Sequence, residues 1–154
     1  MAFASAALTP ADAGEVLTLQ RAAFVTEAQL YDDPNHPALT QPLDELRAEL
    51  EGPGLGIREG GRLVAAVRWT SDGEVAHIRR LTVAPDQQGR GLGTRLLREA
   101  EAASGASVFE LFTGHLSVAN IRLYEREGYA EFRRQELQPG LELVFLRKAA
   151  SAAG

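Results

Sequence analysis

The sequence contains no cysteine, which excludes disulfides, cysteine metal sites and a cysteine acyl-enzyme together. Histidine is scarce: only His36, His77 and His115 occur, with no HExxH spacing, so no metal site is expected. There is no basic surplus either. The net charge is −5, whereas a nucleic-acid partner needs cationic residues to neutralise phosphates. No apolar run approaches the length of a bilayer-spanning helix, so no membrane association is expected. The first eight residues are small and apolar, but no Lys or Arg precedes them and Asp12 follows at once. A signal peptide is therefore not expected, and the expected location is cytoplasmic.

What is present is enough chain for one domain: 154 residues, 45% apolar and 24% charged. Phe3–Leu8 reads as a short strand. Thr9-Pro10-Ala11-Asp12 carries the signature of a helix start, and Val16, Leu19, Ala23 and Phe24 follow at helical spacing, so a first helix is expected over about 10–30. Residues 31–37 form a loop containing two prolines. Thr40 is expected to cap a second helix with Leu43, Leu46 and Leu50, broken at Gly52-Pro53-Gly54. Strands are expected at Gly54–Arg58, Arg62–Trp69 and Glu74–Val83, joined by turns at 59–61 and 71–73. A helix over Arg90–Ala103, a strand over Ser107–Thr113, a helix over Val118–Glu127 and two strands, Tyr129–Gln135 and Leu141–Lys148, complete the pattern. This order describes a mixed α/β sheet covered by helices in a single domain, 1–148, with a disordered tail at 149–154.

The most informative stretch is Leu81-Thr-Val-Ala-Pro-Asp-Gln-Gln-Gly-Arg-Gly-Leu-Gly-Thr-Arg-Leu-Leu97. A strand ends at Pro85, and three alternating glycines open an amphipathic helix. Glycine lets the backbone approach a ligand closely, and the first amides of a helix have no internal partner and lie at its positive end. That combination suits a pyrophosphate, with Arg90 adding charge; a glycine-rich turn without a ligand is the plainer alternative. A P-loop is excluded because Gly93 is followed by Thr94-Arg95 rather than Lys-Ser/Thr. A dinucleotide fingerprint fails too, since its last glycine would fall on Thr94 or Leu96.

The remaining spacing, Gln-x-x-Gly-x-Gly from Gln88 to Gly93, resembles motif A of the GNAT superfamily of N-acetyltransferases. A second segment, Asn120-Ile-Arg-Leu-Tyr-Glu-Arg-Glu-Gly-Tyr129, is similar to the later motif of that family, and the two occur in the expected order. The resemblance implies a central, mostly antiparallel sheet with splayed middle strands, flanked by about four helices. It implies acetyl-CoA as co-substrate, without a metal. Backbone groups of Leu81, Thr82 and Val83 would hold the pantetheine arm. Gln88, Gly89, Arg90, Gly91, Leu92, Gly93 and Thr94 would hold the pyrophosphate. Asn120 would touch the arm, and Tyr124 would lie near the thioester sulfur.

The implied chemistry needs two proton movements. An alkylamine with a pKa of about 10 is a free nucleophile in roughly one molecule per thousand at neutral pH, so a base helps. His77, four residues before Leu81, stands where some members of the family carry a glutamate and others a histidine. Glu74 and Glu110 are the fallback bases. The thiolate product needs a proton or a hydrogen bond, and Tyr124 is the candidate. A phenol is a weaker acid than a thiol by about 2 kcal/mol on reference values, which favours hydrogen bonding over full transfer.

His77 and Arg79 are two apart on one strand and share a face. Arg79 in the acceptor pocket would favour an amine carrying a carboxylate, such as an amino acid; alternatively Arg79 pairs with Glu74 or Glu110. Acids in the loop around Tyr31, Asp32, Asp33 and Asn35 would instead favour a cation, and His36 borders the same region. His115, after Thr113-Gly114, reads as a loop residue. The expected function is acetyl transfer to a primary amine of a small molecule. The alternatives are a protein or peptide amine, another acyl donor or an oxygen acceptor, a non-catalytic acyl-CoA-binding module, and a glycine-rich domain that binds no nucleotide. Exposed sheet edges make a homodimer a further expectation.

Overall fold

The computed structural model describes residues 4–151. Its elements are β1 (Ala4–Ala7), a 3₁₀ turn (Pro10–Asp12), α1 (Ala13–Leu30), α2 (Pro37–Thr40), α3 (Leu43–Glu49), β2 (Gly54–Glu59), β3 (Arg62–Asp72), β4 (Val75–Val83), a second 3₁₀ turn (Pro85–Gln87), α4 (Leu92–Ser104), β5 (Val108–Gly114), α5 (Val118–Arg126), β6 (Ala130–Gln138) and β7 (Leu141–Ala149). The seven strands form one sheet in the order β1-β2-β3-β4-β5-β7-β6. Every neighbouring pair is antiparallel except β4–β5. Among the described residues no helix is long and apolar enough to cross a membrane.

Several expected boundaries shift for identifiable reasons. Phe3 lies outside the described residues. Thr40 does not cap α3. Proline disfavours the helical region for the residue before it, so Gln41 is extended (ψ 126°) ahead of Pro42, and α3 starts at Leu43. Thr40 instead ends α2, a single turn opened by Pro37 in the expected loop; His36 Nδ1 accepts the Ala38 N–H at 3.1 Å there. The β3–β4 reversal falls at Gly73-Glu74, with β3 running through Asp72. Helix α4 begins two residues later than Arg90, because Gly91 adopts φ +78° and cannot be helical. At the C-terminal end, β7 extends through Ala149 and the Ala150 N–H donates to Ser107 O, so chain expected in the tail belongs to the sheet.

Each sheet face has its own core. Ala65, Val67, Trp69, Ala76, Ile78, Phe109, Leu111, Val144 and Leu146 pack against Leu92, Leu96, Leu97 and Ala100 of α4 and Tyr124 of α5. On the opposite face Leu63, Ala66 and Ala84 pack against Val16, Leu17 and Leu19 of α1 and Leu46 of α3. A buried polar network also joins α1 and α3 to the sheet. Arg68 Nη2 donates to Gln20 Oε1 (3.1 Å) and Glu49 Oε1 (3.4 Å), and Gln20 Nε2 donates to Ala38 O and Gln41 Oε1, both at 3.0 Å. Helices on this face cover only part of it: Phe112 of β5 and Phe132 of β6 remain largely exposed.

The end of α1 is lashed to the start of α5. Tyr31 Oη accepts the Leu116 N–H at 2.9 Å and lies 3.0 Å from Ser117 Oγ. Gly114 makes this possible, since a Cβ there would sit 1.9 Å from Tyr31 Oη. Gly114→Ala should therefore destabilise the protein by about 1–3 kcal/mol through overpacking. In a Tyr31→Ala background the same substitution should cost little, which a double-mutant cycle by denaturant melts would measure.

Candidate acetyl-transfer site

The site is organised by the way β4 and β5 separate. Their parallel ladder holds only Val75↔Val108, Ala76↔Phe109 and His77↔Glu110. Beyond His77, β4 stays paired with β3 as far as Val83, while β5 stays paired with β7 as far as Gly114. The facing edges of residues 78–83 and 111–114 thus carry no ladder partners for one another. A bulge accompanies the separation. Ala66 opposes Thr82 but Arg68 opposes Arg79, so Val67 faces both Arg80 and Leu81. Arg80 takes φ +55°, a left-handed conformation that costs a non-glycine residue about 1–2 kcal/mol. Its guanidinium carbon lies 5.8 Å from the centre of the Phe24 ring on α1.

Past Val83 the chain makes its 3₁₀ turn and reaches the glycine loop. Gly89 (φ +80°) and Gly91 (φ +78°) are both left-handed, and a Cβ at either would meet nothing within 4 Å. These positions need glycine for the backbone conformation and leave open space above it. Gly93 is ordinary helix, where an added Cβ would lie 3.6 Å from Val83 Cγ2. The Arg95 N–H is the first in α4 to find a backbone acceptor, Gly91 O at 3.0 Å; the amides of Leu92, Gly93 and Thr94 have none among the described residues. Thirteen residues of aligned peptide dipoles stand behind those amides, which suits an anion. Arg90 Nη2 is 3.3 Å from Glu59 Oε2 and Arg90 also bonds Gln87, so its charge is shared with neighbours.

Tyr124 and Asn120 arrive on α5 from the opposite direction. Tyr124 is buried, with its ring edge-on to Tyr129 at 6.1 Å. Burial, and then the charge of Glu27, push the Tyr124 hydroxyl up to about 12. Glu27 belongs to α1, on the other side of the sheet. It accepts hydrogen bonds from Asn120 Nδ2 (3.3 Å) and from Ser117 Oγ. These bonds join α1 directly to the start of α5, from one side of the sheet to the other.

At the base of the gap, His77 and Arg79 share the α1 face, as their spacing requires. They line a cavity of about 150 Å³ with Glu110, Phe112, Arg133 and Phe145. His77 Nδ1 is 3.8 Å from Glu110 Oε1, and Glu110 Oε2 is held by Arg147 at 2.7–2.9 Å. Among the described residues no carboxylate lies within ion-pair distance of Arg79, so neither Glu74 nor Glu110 claims it.

The family model for the acetyltransferase (GNAT) family matches residues 18–129. The chain belongs to that family. A curated relative, the UPF0157 protein YqkA of Bacillus subtilis, is 26% identical over 132 residues; the match covers 85% of this chain and 38% of that protein, so the chain spans well under half the length of its relative. Among solved structures, the PaiA N-acetyltransferase of Thermoplasma acidophilum in complex with coenzyme A superposes with a TM-score of 0.83 at 15% identity, covering 97% of this chain and all of the other. YncA of Salmonella typhimurium, a putative acetyltransferase with acetyl-CoA, gives 0.75 at 20% identity over 100% and 98% of the two chains. The ribosomal-protein-S18-alanine N-acetyltransferase of Escherichia coli gives 0.75 at 18% identity over 99% and 97%. At these identities the likeness is one of fold.

Of the residues expected at the cofactor, Leu81, Thr82 and Val83 lie on the open edge of β4, Gln88 to Thr94 in the glycine loop and the first turn of α4, and Asn120 and Tyr124 on α5. Tyr31 and Asp32 do not line the His77 cavity. The Tyr31 hydroxyl is committed to α5, and exposed Asp32 sits at the turn ending α1 with φ +49°. His115 bonds Glu142 of β7, its Nδ1 accepting that N–H at 3.0 Å. His36 is held below the usual imidazole range by burial and by Arg80. Sequence reading missed Glu27, although it lies one helical turn before Tyr31 on the same face. It also missed Phe145, which the β5–β7 pairing sets opposite Phe112, and Arg133, which the β6–β7 pairing sets opposite Phe145.

Two measurements test this description. Gly91→Ala should weaken coenzyme A binding about tenfold, the equivalent of 1.4 kcal/mol, because alanine resists the left-handed conformation that starts α4; calorimetric titration reads this directly. In NMR titration of labelled tyrosine, the Tyr124 hydroxyl should stay protonated past pH 11. Glu27→Gln should lower that midpoint without restoring the ordinary value near 10, since burial is the larger cause.

Proposed function

We propose that the protein transfers the acetyl group of acetyl-CoA to the primary amine of a small, amino-acid-like molecule, directly and within a ternary complex. The reading rests on one observation: an unpaired strand edge, residues 78–83, leads straight to the free amides of α4, with Tyr124 buried in the core on the α4 face of the sheet. A pantetheine arm carries amide groups that suit the former, and a pyrophosphate suits the latter. The thioester acetyl group then falls at the gap, where the α1 face and the α5 face are both within reach.

Acetyl-CoA supplies a carbonyl carbon activated by sulfur. The amine nitrogen forms the new C–N bond, the C–S bond breaks, and the amine's proton ultimately replaces the acetyl group on sulfur. His77 is the proposed acceptor of that proton. Its Nδ1 faces Glu110, so the imidazolium formed has a carboxylate nearby, itself anchored by Arg147. Tyr124 donates a hydrogen bond to the sulfur as negative charge develops. A phenol held near 12 is too weak an acid to hand its proton fully to a thiolate near 8.5: that transfer is uphill by about 5 kcal/mol. Arg79, in the same cavity as His77, supports an acceptor with a carboxylate close to its amine.

Tyr124→Phe should lower kcat by about 10²-fold, the usual cost of one donor to developing negative charge, while leaving acetyl-CoA binding intact. His77→Ala should lower kcat/KM by about 10²-fold at neutral pH and recover as pH rises toward the amine's own pKa. A thiol-release assay over amino acids, polyamines, aminoglycosides and peptides measures both. Acetyl-CoA binding without thiol release from any of them would favour a binding module, and release with peptides alone would move the acceptor to protein amines.

A further inference from the structure

The cavity that holds His77 contains a second arginine, contributed by the far end of the sheet. Arg133 of β6 is paired in register with Phe145 of β7, and its guanidinium carbon lies 3.9 Å from the centre of the Phe145 ring. A stacked guanidinium uses its face for the ring and leaves its N–H edge free for an anion. The only hydrogen bond it makes among the described residues is a long one, Nη1 to Gln135 Oε1 at 3.5 Å. Arg79 across the cavity has no carboxylate partner among the described residues either. The one carboxylate of the lining, Glu110, is already held by Arg147. Two guanidinium groups thus face a common space without a counter-ion, in a chain whose net charge is −5. Like charges in one cavity repel, and an anion entering between them relieves that repulsion. The wall beside them is apolar: the Phe112 and Phe145 rings lie 5.5 Å apart, and Phe112 continues outward, 48% exposed.

Resting on the acetyl-transfer reading, we propose that Arg79 and Arg133 form the anion subsite of the acceptor pocket, and that the acceptor is an α-amino acid with an apolar or aromatic side chain. Arg133 is then a specificity-determining residue. The cavity of about 150 Å³ equals about five waters, room for a carboxylate and the carbons next to it. The side chain would lie along Phe112, outside the enclosed part. Cationic acceptors, polyamines above all, are rejected by the two arginines.

The test measures binding of products, which needs no turnover. N-acetylphenylalanine and N-acetylphenethylamine share the ring and the amide and differ by the carboxylate. Calorimetric titration of the full chain should show the first binding at least tenfold more tightly, a difference of about 1.4 kcal/mol. Arg133→Gln and Arg79→Gln should each abolish the preference while leaving the melting temperature and coenzyme A affinity unchanged. Arg133→Lys should restore it in part, since it keeps the charge but loses the planar fork. N-acetylglycine should bind more weakly than N-acetylphenylalanine if Phe112 takes the side chain. Equal binding of the two phenyl compounds, or an unaltered preference in Arg133→Gln, overturns the proposal. Inorganic phosphate binding more tightly than either would overturn the amino-acid assignment in favour of a phosphorylated ligand. If the carboxylate preference holds but no thiol is released from acetyl-CoA with any amino acid, the acetyl-transfer reading fails and the anion subsite stands.

Discussion

Three residue pairs hold β4 to β5, and everything at the site follows from there being no more. A parallel pair of this length would ordinarily continue, because unpaired backbone groups inside a protein are costly. Here each strand is kept by its outer neighbour: β4 by β3 through Val83, and β5 by β7 through Gly114. The bulge at Arg80 turns β4 just where the ladder ends, at the cost of a strained backbone. The gap is thus a feature of the sheet's own pairing. It leaves a strand edge available to an extended ligand, between two faces that carry separate cores.

The two helical layers are also joined directly to each other. Glu27 and Tyr31, one turn apart on α1, reach Ser117, Asn120 and the Leu116 amide at the start of α5. Elsewhere α1 is held by its core residues, by the buried Arg68–Gln20 network, by the Glu15–Arg58 ion pair and by the stacking of Arg80 on Phe24. The contacts also have an electrical effect. The carboxylate of Glu27 on α1 sits close enough to Tyr124 to disfavour its ionisation further. Electrostatics divide along the same line: the α4 amides supply diffuse positive potential on one side, and discrete guanidinium groups supply it on the other.

How much of this was legible beforehand depends on the range of the interaction. The glycine loop and the Asn120…Tyr124 segment are local patterns, and their chemistry follows from spacing alone. Strand alternation placed His77 and Arg79 on one face because no irregularity separates them. It fails one residue later: Arg80 also turns toward α1, which only the bulge permits. Thr40 looked like a cap because its hydroxyl precedes an apolar run, but Pro42 dictates the conformation of Gln41 and moves the start. Arg133 was invisible for a different reason. β6 is exposed along its whole length, so it carries no hydrophobic alternation, and its role depends on register with Phe145. Glu27 carries no motif at all; it matters through partners some ninety residues away.

The buried tyrosine illustrates why position decides chemistry more than residue type. Sequence alone gives Tyr124 the acidity of an ordinary phenol, only slightly weaker than a thiol. Burial between α5 and the sheet, and the nearby Glu27 carboxylate, widen that difference to a barrier that full proton transfer would have to climb. The same two influences make the hydroxyl a secure donor, since a group held near 12 stays protonated throughout the neutral range. A donor that cannot lose its proton stabilises charge on sulfur without forming a tyrosinate that would have to be reset. On the proposed acetyl transfer, the proton that finally reaches the thiolate then comes by way of His77 or from solvent. On the same proposal, the unpaired edges of β4 and β5 serve two ends at once: they take the cofactor's arm, and they leave that proton a way in.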